Sequence, residues 1–290
     1  LWVEKTFFDH LESHLQCESP EYRTQAATTL FEISKYVINS SNSSKKCRQR
    51  IYDFIFQAAN SNHRDVSTAA FNGLLSFLAG GTAMNIKEGW PMVLTILKVV
   101  WATPFSENIQ NGFRVLTFIC SDCLMYLKNT DIEVCLSTIT AYIGQLEDIN
   151  IALGTIGLLW NVGSSLSVTN QIDESQIDIK NATNDSKSNK KVTFEINDAK
   201  DECWKALFKT LQNSFCDKRQ NVSDSSLQTF FSLVNTFYGQ FSPSLRRYVI
   251  DNVISPLVSI ISESESSLLA IQGVTQCLRS LGDCQSVILA

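Results

Sequence analysis

The chain has 290 residues, 24 basic and 29 acidic side chains, a formal net charge of −5 and 44 % apolar residues. That apolar share excludes wholesale disorder, and twelve Gly with five Pro are too few for the many turns of an all-β chain. The mild acidity argues against a nucleic-acid binder, which presents positive charge to phosphates.

The first residue is Leu1, so the expectation is a fragment of a longer protein. No uninterrupted apolar run of about 18 residues occurs, and no membrane span is expected. The nine cysteines sit mostly in helical apolar patterns, which reads as reduced, buried thiols of a cytosolic protein.

Helical periodicity runs along nearly the whole chain. First helices are predicted near 4–16, 46–60, 86–102, 131–146, 199–215 and 244–262, and second helices at 21–38, 64–79, 106–128, 148–166, 219–240 and 265–281. Val66, Ala69, Ala70, Gly73, Leu74, Phe77 and Leu78 form one apolar stripe. So do Ile132, Cys135, Leu136, Ile139, Ile143 and Leu146, and Trp204, Leu207, Phe208, Leu211 and Phe215. A repeat of about 40–47 residues with two helices per unit marks a HEAT or armadillo array. The predicted fold is therefore an all-α solenoid of about six helix pairs, in which stacked neighbours bury the stripe that no pair can bury alone.

The turns inside the pairs share a pattern. Pro20-Glu-Tyr-Arg23 precedes Ala26-Ala27, His63-Arg64-Asp65 precedes Ala69-Ala70, and Asp217-Lys-Arg219 precedes Val222. Polar turn residues are expected to cap the next helix, with small residues allowing close approach. Residues 167–198 break the rule. They are rich in Ser, Asn, Asp and Lys and read as a disordered inserted loop. Repeats one to four then occupy 1–166, and repeats five and six occupy 199–290, continuous with the first block.

Few residues suggest chemistry. His10, His14 and Cys17 could share a helix face, but they read as a surface helix end. Cys120-Ser-Asp-Cys123 lies within a helical stripe and reads as core. Gly80-Gly81 reads as a helix stop, and Trp160 as core. No catalytic, cofactor-binding or metal-ligating set is expected. The densest basic cluster supplies the weak partner-binding candidates Lys45, Lys46, Arg48 and Arg50. They could meet an acidic partner or acidic lipid head groups.

Ile156-Gly-Leu-Leu-Trp-Asn161, Asp217-Lys-Arg219 with Val222, Gln228-Thr-Phe-Phe231, Ser242-Pro-Ser-Leu245 and Val253-Ile-Ser-Pro-Leu257 follow one another along the second half of the chain. This series resembles the C-terminal part of the monensin-sensitivity (Mon-two) family, the relatives of the BIG/GBF Arf exchange factors that lack the Sec7 domain. The resemblance implies a non-enzymatic scaffold, peripheral on trans-Golgi network and endosome membranes. It implies work with Dopey-type proteins, an Arf-like small GTPase and P4-type flippases. The alternative is a regulatory helical-repeat region of a Sec7-containing Arf guanine-nucleotide exchange factor. An importin-type receptor is a third reading, disfavoured because the acidity is slight and unclustered.

Overall fold

The computed structural model describes the backbone of residues 2–99, 106–180 and 186–258, with side chains over 9–98, 106–168 and 198–258. Among these residues there are helices and no strands. The chain divides into two compact units, Leu1–Ile151 and Ala152–Ala290. The fold class is the all-α solenoid of helix pairs.

The first unit holds α1 (Trp2–Leu15), α2 (Pro20–Asn39), α3 (Lys45–Ala59), α4 (Arg64–Phe77), a short α5 (Ala83–Ile86), α6 (Trp90–Val99), α7 (Ser106–Phe118) and α8 (Asn129–Gly144). Its helices form two layers. Helices α2, α4 and α7 pack in succession on one side, and α3, α6 and α8 on the other. Between them lies a core with fully buried Leu30, Ile38, Ile51, Ile55, Phe71, Leu74, Trp90 and Leu94. Each pair thus presents its apolar stripe to the next, as the periodicity predicts.

The second unit takes most of α9 (Ile149–Lys180), with α10 (Ser186–Gln212), α11 (Gln220–Phe237) and α12 (Pro243–Tyr248). Helix α10 packs on both α11 and α12. Their core is aromatic. The Trp204 ring lies 4.9 Å from Phe241 and 5.6 Å from Phe208, which meets Phe230 edge-on at 5.6 Å. Each such pair contributes about 0.5–1.5 kcal/mol beyond area burial. Trp160 joins this cluster at 5.6 Å from Phe237 but stays 37 % exposed. It is a rim residue, not the core residue its stripe suggested, because its helix face turns outward there.

Hydrogen bonds between repeats write the period into the structure. Arg23 to Asp65 spans 42 residues, Arg64 to Glu107 spans 43, and Thr138 to Leu94 spans 44. In the second unit Gln212 donates to the Asn252 carbonyl, 40 residues away.

The hairpin turns work differently from the expected capping. The N-cap residues Ser19, His63 and Arg219 make no side-chain cap bond. Instead Arg23 ties down the turn that follows α1. Its Nη1 donates to the carbonyls of Cys17 and Glu18, both at 2.8 Å, and its Nε and Nη2 reach Asp65 at 3.0 and 3.1 Å. Arg219 donates three bonds to Asp217 in its own turn. A guanidinium satisfies turn carbonyls and a carboxylate at once, because its donors form a rigid fork. Side-chain caps occur between repeats, where Ser44 accepts from Cys47 N and Ser242 from Leu245 N, and in the turn of the fourth pair, where Asp148 accepts from Asn150 N at 2.8 Å.

Gly81, at φ 80°, turns the chain after α4, as the Gly80-Gly81 stop predicts. Among the described residues three predicted helices are interrupted. The 86–102 helix begins only at Trp90 after a turn at Lys87–Gly89, and a π turn at Val249–Ile254 breaks the 244–262 helix after α12. Helix α7 ends through a π turn at Ile119–Cys123. The segment 167–198, expected as a loop, has helical backbone up to Lys180 and again from Ser186. It contains neither Gly nor Pro, so its composition supplies no helix stop. Residues 181–185 and the sixth pair's second helix, 265–281, lie outside the described residues.

The stretch Ile149–Val168 has a mean hydropathy of 1.4, enough by length and composition to cross a membrane, and 56 % of it is buried. The sequence reading missed this because small and polar residues interrupt the apolar run. Ala152, Ile156, Leu159, Val162 and Leu166 are all buried, which is the pattern of a core helix.

Candidate functional site

The basic candidates separate into two places. Arg50 pairs with Asp9 at 2.9 Å and lies over the Phe54 ring at 5.8 Å, so it joins α3 to α1. Lys46 is exposed. Lys45 and Arg48 instead line a groove of about 690 Å³, together with Tyr52, Met84, Lys87, Glu88, Tyr126 and Lys128 among others.

Three turns build this groove: the start of α3, the Ala83–Gly89 segment, and the Leu124–Lys128 turn before α8. Its floor is Tyr52, only 3 % exposed, whose hydroxyl donates to the Ile86 carbonyl at 3.4 Å. Burial pushes that phenol up to about 12, against an opposing pull from Arg48. Gly89 closes over it. A Cβ there would stand 2.2 Å from the Tyr52 ring, so no larger residue fits without moving the floor.

Arg48 is fixed by neutral acceptors. Its Nε donates to Ser43 Oγ at 2.7 Å, its Nη2 to the Ser40 carbonyl at 2.9 Å, and its Nη1 to the Asn85 carbonyl at 3.4 Å. Lys45 meets Glu88 at 3.2 Å. That hydrogen bond and the Lys45 charge, with Lys128 adding its field, hold the Glu88 carboxyl below its ordinary value. Lys87 is exposed and has φ 52°, the one non-glycine with positive φ among the described residues. Met84 and Tyr126 stand 58 % and 36 % exposed at the rim.

The sequence reading missed Lys87 and Lys128. A signal was present: Lys45, Lys87 and Lys128 are 42 and then 41 residues apart, one repeat each. Each stands at or just before the start of its repeat's first helix. A cation at a helix N-terminus opposes the macrodipole, so the stability of α3 and α8 does not ask for Lys45 or Lys128.

The other candidates are structural. The His10 and His14 rings stack at 6.3 Å, and the Cys17 thiol donates to the Ser19 carbonyl. Among the described residues no group of three His, Cys, Asp or Glu is placed to hold a metal. Cys120 and Cys123 are buried in the core, with Cys120 Sγ 3.9 Å from Cys135 Sγ.

Comparison with known proteins agrees with the residue pattern. A family model described as the C-terminal region of Mon2 protein matches residues 121–271. The Drosophila melanogaster Mon2 homolog is 25 % identical over 207 residues, which cover 71 % of this chain. The human homolog is 23 % identical over 216 residues, covering 73 %. In each case the chain spans 12 % of the relative's length. Among solved structures, a designed armadillo repeat protein aligns over 94 % of this chain and 98 % of its own at 10 % identity, with a TM-score of 0.44. With the model covering more than half of its residues, the chain belongs to the Mon2 family, through that family's C-terminal region.

Proposed function

We propose that this chain is a non-catalytic scaffold segment of a peripheral membrane-trafficking protein of the trans-Golgi network and endosomes. Its partners would be a Dopey-type protein, an Arf-like small GTPase and the P4-type flippases linked to them. The observation that carries this reading is the match of the Mon2 C-terminal model onto residues 121–271, across stacked helix pairs. A repeat array supports it physically, since each added pair extends a continuous surface on which partners can be held side by side.

The test is cross-linking mass spectrometry on the full-length protein isolated from cells with its copurifying partners. The expected result is cross-links from lysines of this region to a Dopey-type protein or an Arf-like GTPase. Robust nucleotide exchange on an Arf-like GTPase by the purified full-length protein would overturn the scaffold reading. It would favour a regulatory region of an exchange factor instead.

A further inference from the structure

We propose that the groove between the start of α3, the Ala83–Gly89 segment and the Leu124–Lys128 turn receives an acidic peptide segment of a partner protein, anchored by one apolar side chain. Lys45, Arg48, Lys87 and Lys128 line it against the single carboxylate of Glu88, on a chain whose net charge is −5. Basic charge is therefore concentrated here against the trend of the molecule.

Glu88 cannot balance the set. It is paired to Lys45, while Arg48 rests on two carbonyls and a hydroxyl that leave its charge uncompensated. Lys87 and Lys128 are exposed and form no ion pair among the described residues. Folding makes use of Lys45 and Arg48 but gains no such bond from Lys87 or Lys128. Cations sit where the macrodipoles of α3 and α8 disfavour them, and Lys87 holds a backbone conformation that costs an L-residue energy. Bound carboxylates would reverse the sign of the first cost, because helix N-termini and lysines attract the same anion.

The shape selects a peptide. The cations converge on a recess of about 690 Å³, whereas a flat lipid surface is met best by projecting side chains. Met84 and Tyr126 at the rim offer an adaptable thioether and an aromatic face to one apolar residue. The three lysines recur at the repeat period, which suits an extended segment laid across successive repeats.

The experiment is fluorescence anisotropy with the full-length protein. The probe is a fluorescein-labelled nonapeptide of Asp and Glu with one central Leu. Its neutral Asn/Gln counterpart and vesicles of phosphatidylcholine with phosphatidylserine run beside it. Saturable binding of the acidic probe, weakened by added salt, is expected. The double variant K87E/K128E should weaken it at least about tenfold, and K87Q/K128Q by less, as reversal and removal of rim charges do. Both lysines are exposed, so the circular dichroism spectrum should not change.

The proposal fails if the probe does not bind, or if the double variant binds it as the wild type does. It also fails if the variants lose vesicle binding while peptide binding is unchanged. It rests on the scaffold reading only for the class of partner, and the two are separable. Failure of the wild type to bind the peptide, with the cross-links to the copurifying partners present, refutes the groove alone. The converse result refutes the scaffold reading alone.

Discussion

Replacing Arg23 by Ala tests whether the hairpin arginine holds neighbouring repeats together. Arg23 is 8 % exposed and donates four hydrogen bonds, two to the carbonyls past α1 and two to Asp65. Bonds to charged groups are worth about 1.5–3 kcal/mol each when the partner is left dry. Asp65 is 27 % exposed, so water replaces much of its share. Counting about 1 kcal/mol per carbonyl and about 1 for the bidentate pair gives a loss of about 3 kcal/mol. In an array this loss is local, since each repeat leans mainly on its neighbours.

Hydrogen exchange of the full-length protein reads that local loss directly. At about 1.4 kcal/mol per decade, amides of residues 17–27 and 64–70 should exchange about a hundredfold faster in R23A. R23K keeps the charge but not the fork, and should lie near tenfold. Acid should act on the same turn. Burial raises the Asp65 carboxyl, but the Arg23 bonds, its own backbone N–H and the Arg23 and His63 charges outweigh it, leaving a net value below the ordinary range. A carboxyl depressed by folding stabilises above its unfolded value of about 3.9 and loses that contribution as pH falls through the folded value. Protection of these amides, corrected for the intrinsic exchange rate at each pH, should therefore be steady near neutrality and fall below about pH 4. The Asp217 turn, where the Arg219 bonds lower the carboxyl, should follow. Exchange in R23A within twofold of wild type at both segments would refute the stapling argument.

Three further outcomes are expected. G89A should lower stability by about 1–3 kcal/mol, because its methyl would overlap the buried Tyr52 ring; an unchanged urea midpoint would refute the packing account. K87G should raise stability by about 1 kcal/mol, the net of about 1–3 of relieved backbone strain and about 0.5–1 of added unfolded-chain entropy; a lowered midpoint would show that φ 52° is not strained. In native protein at pH 8, iodoacetamide should label exposed Cys216 first and reach Cys120, Cys123 and Cys135 only in denaturant. The hydrogen bond shared with Cys135 and burial hold the Cys120 thiol well above its ordinary value, and burial, aided by Asp122, pushes Cys123 up to about 11. Early labelling of Cys120, followed by peptide mass spectrometry, would contradict its place in the core.

How much of this could be read beforehand depends on which forces leave a periodic trace. The apolar stripes did, since a helix that must bury one face repeats its large residues every three or four positions. Val66 to Leu78 and Trp204 to Phe215 became core helices, and the interval of 40–45 residues reappears as the span of the bonds between repeats. Breaks inside helices left fainter traces. The turn at Lys87–Gly89 is set by the fit of Gly89 against Tyr52, 37 positions earlier, and no local propensity carries that information. Trp160 continued its stripe in sequence yet emerged at the rim, because a heptad-like pattern fixes a face and not its depth.

The groove shows the same limit from the polar side. A lysine every 41 or 42 residues is invisible to any window the length of one helix, and each lysine alone is adequately explained as a solvated surface charge. Stacking changes that explanation. Once the repeats are in register, three turns distant in sequence share one recess, and the charges acquire a common counter-charge requirement that no single turn has. Repulsion among Lys45, Arg48, Lys87 and Lys128 is then a cost borne by the unbound groove, with Glu88 offsetting one charge of the four. A ligand that supplies carboxylates removes that cost as it binds. Affinity for an acidic segment thus follows from the repeat period itself, and variants that shift one repeat's register should weaken binding even where all four cations are kept.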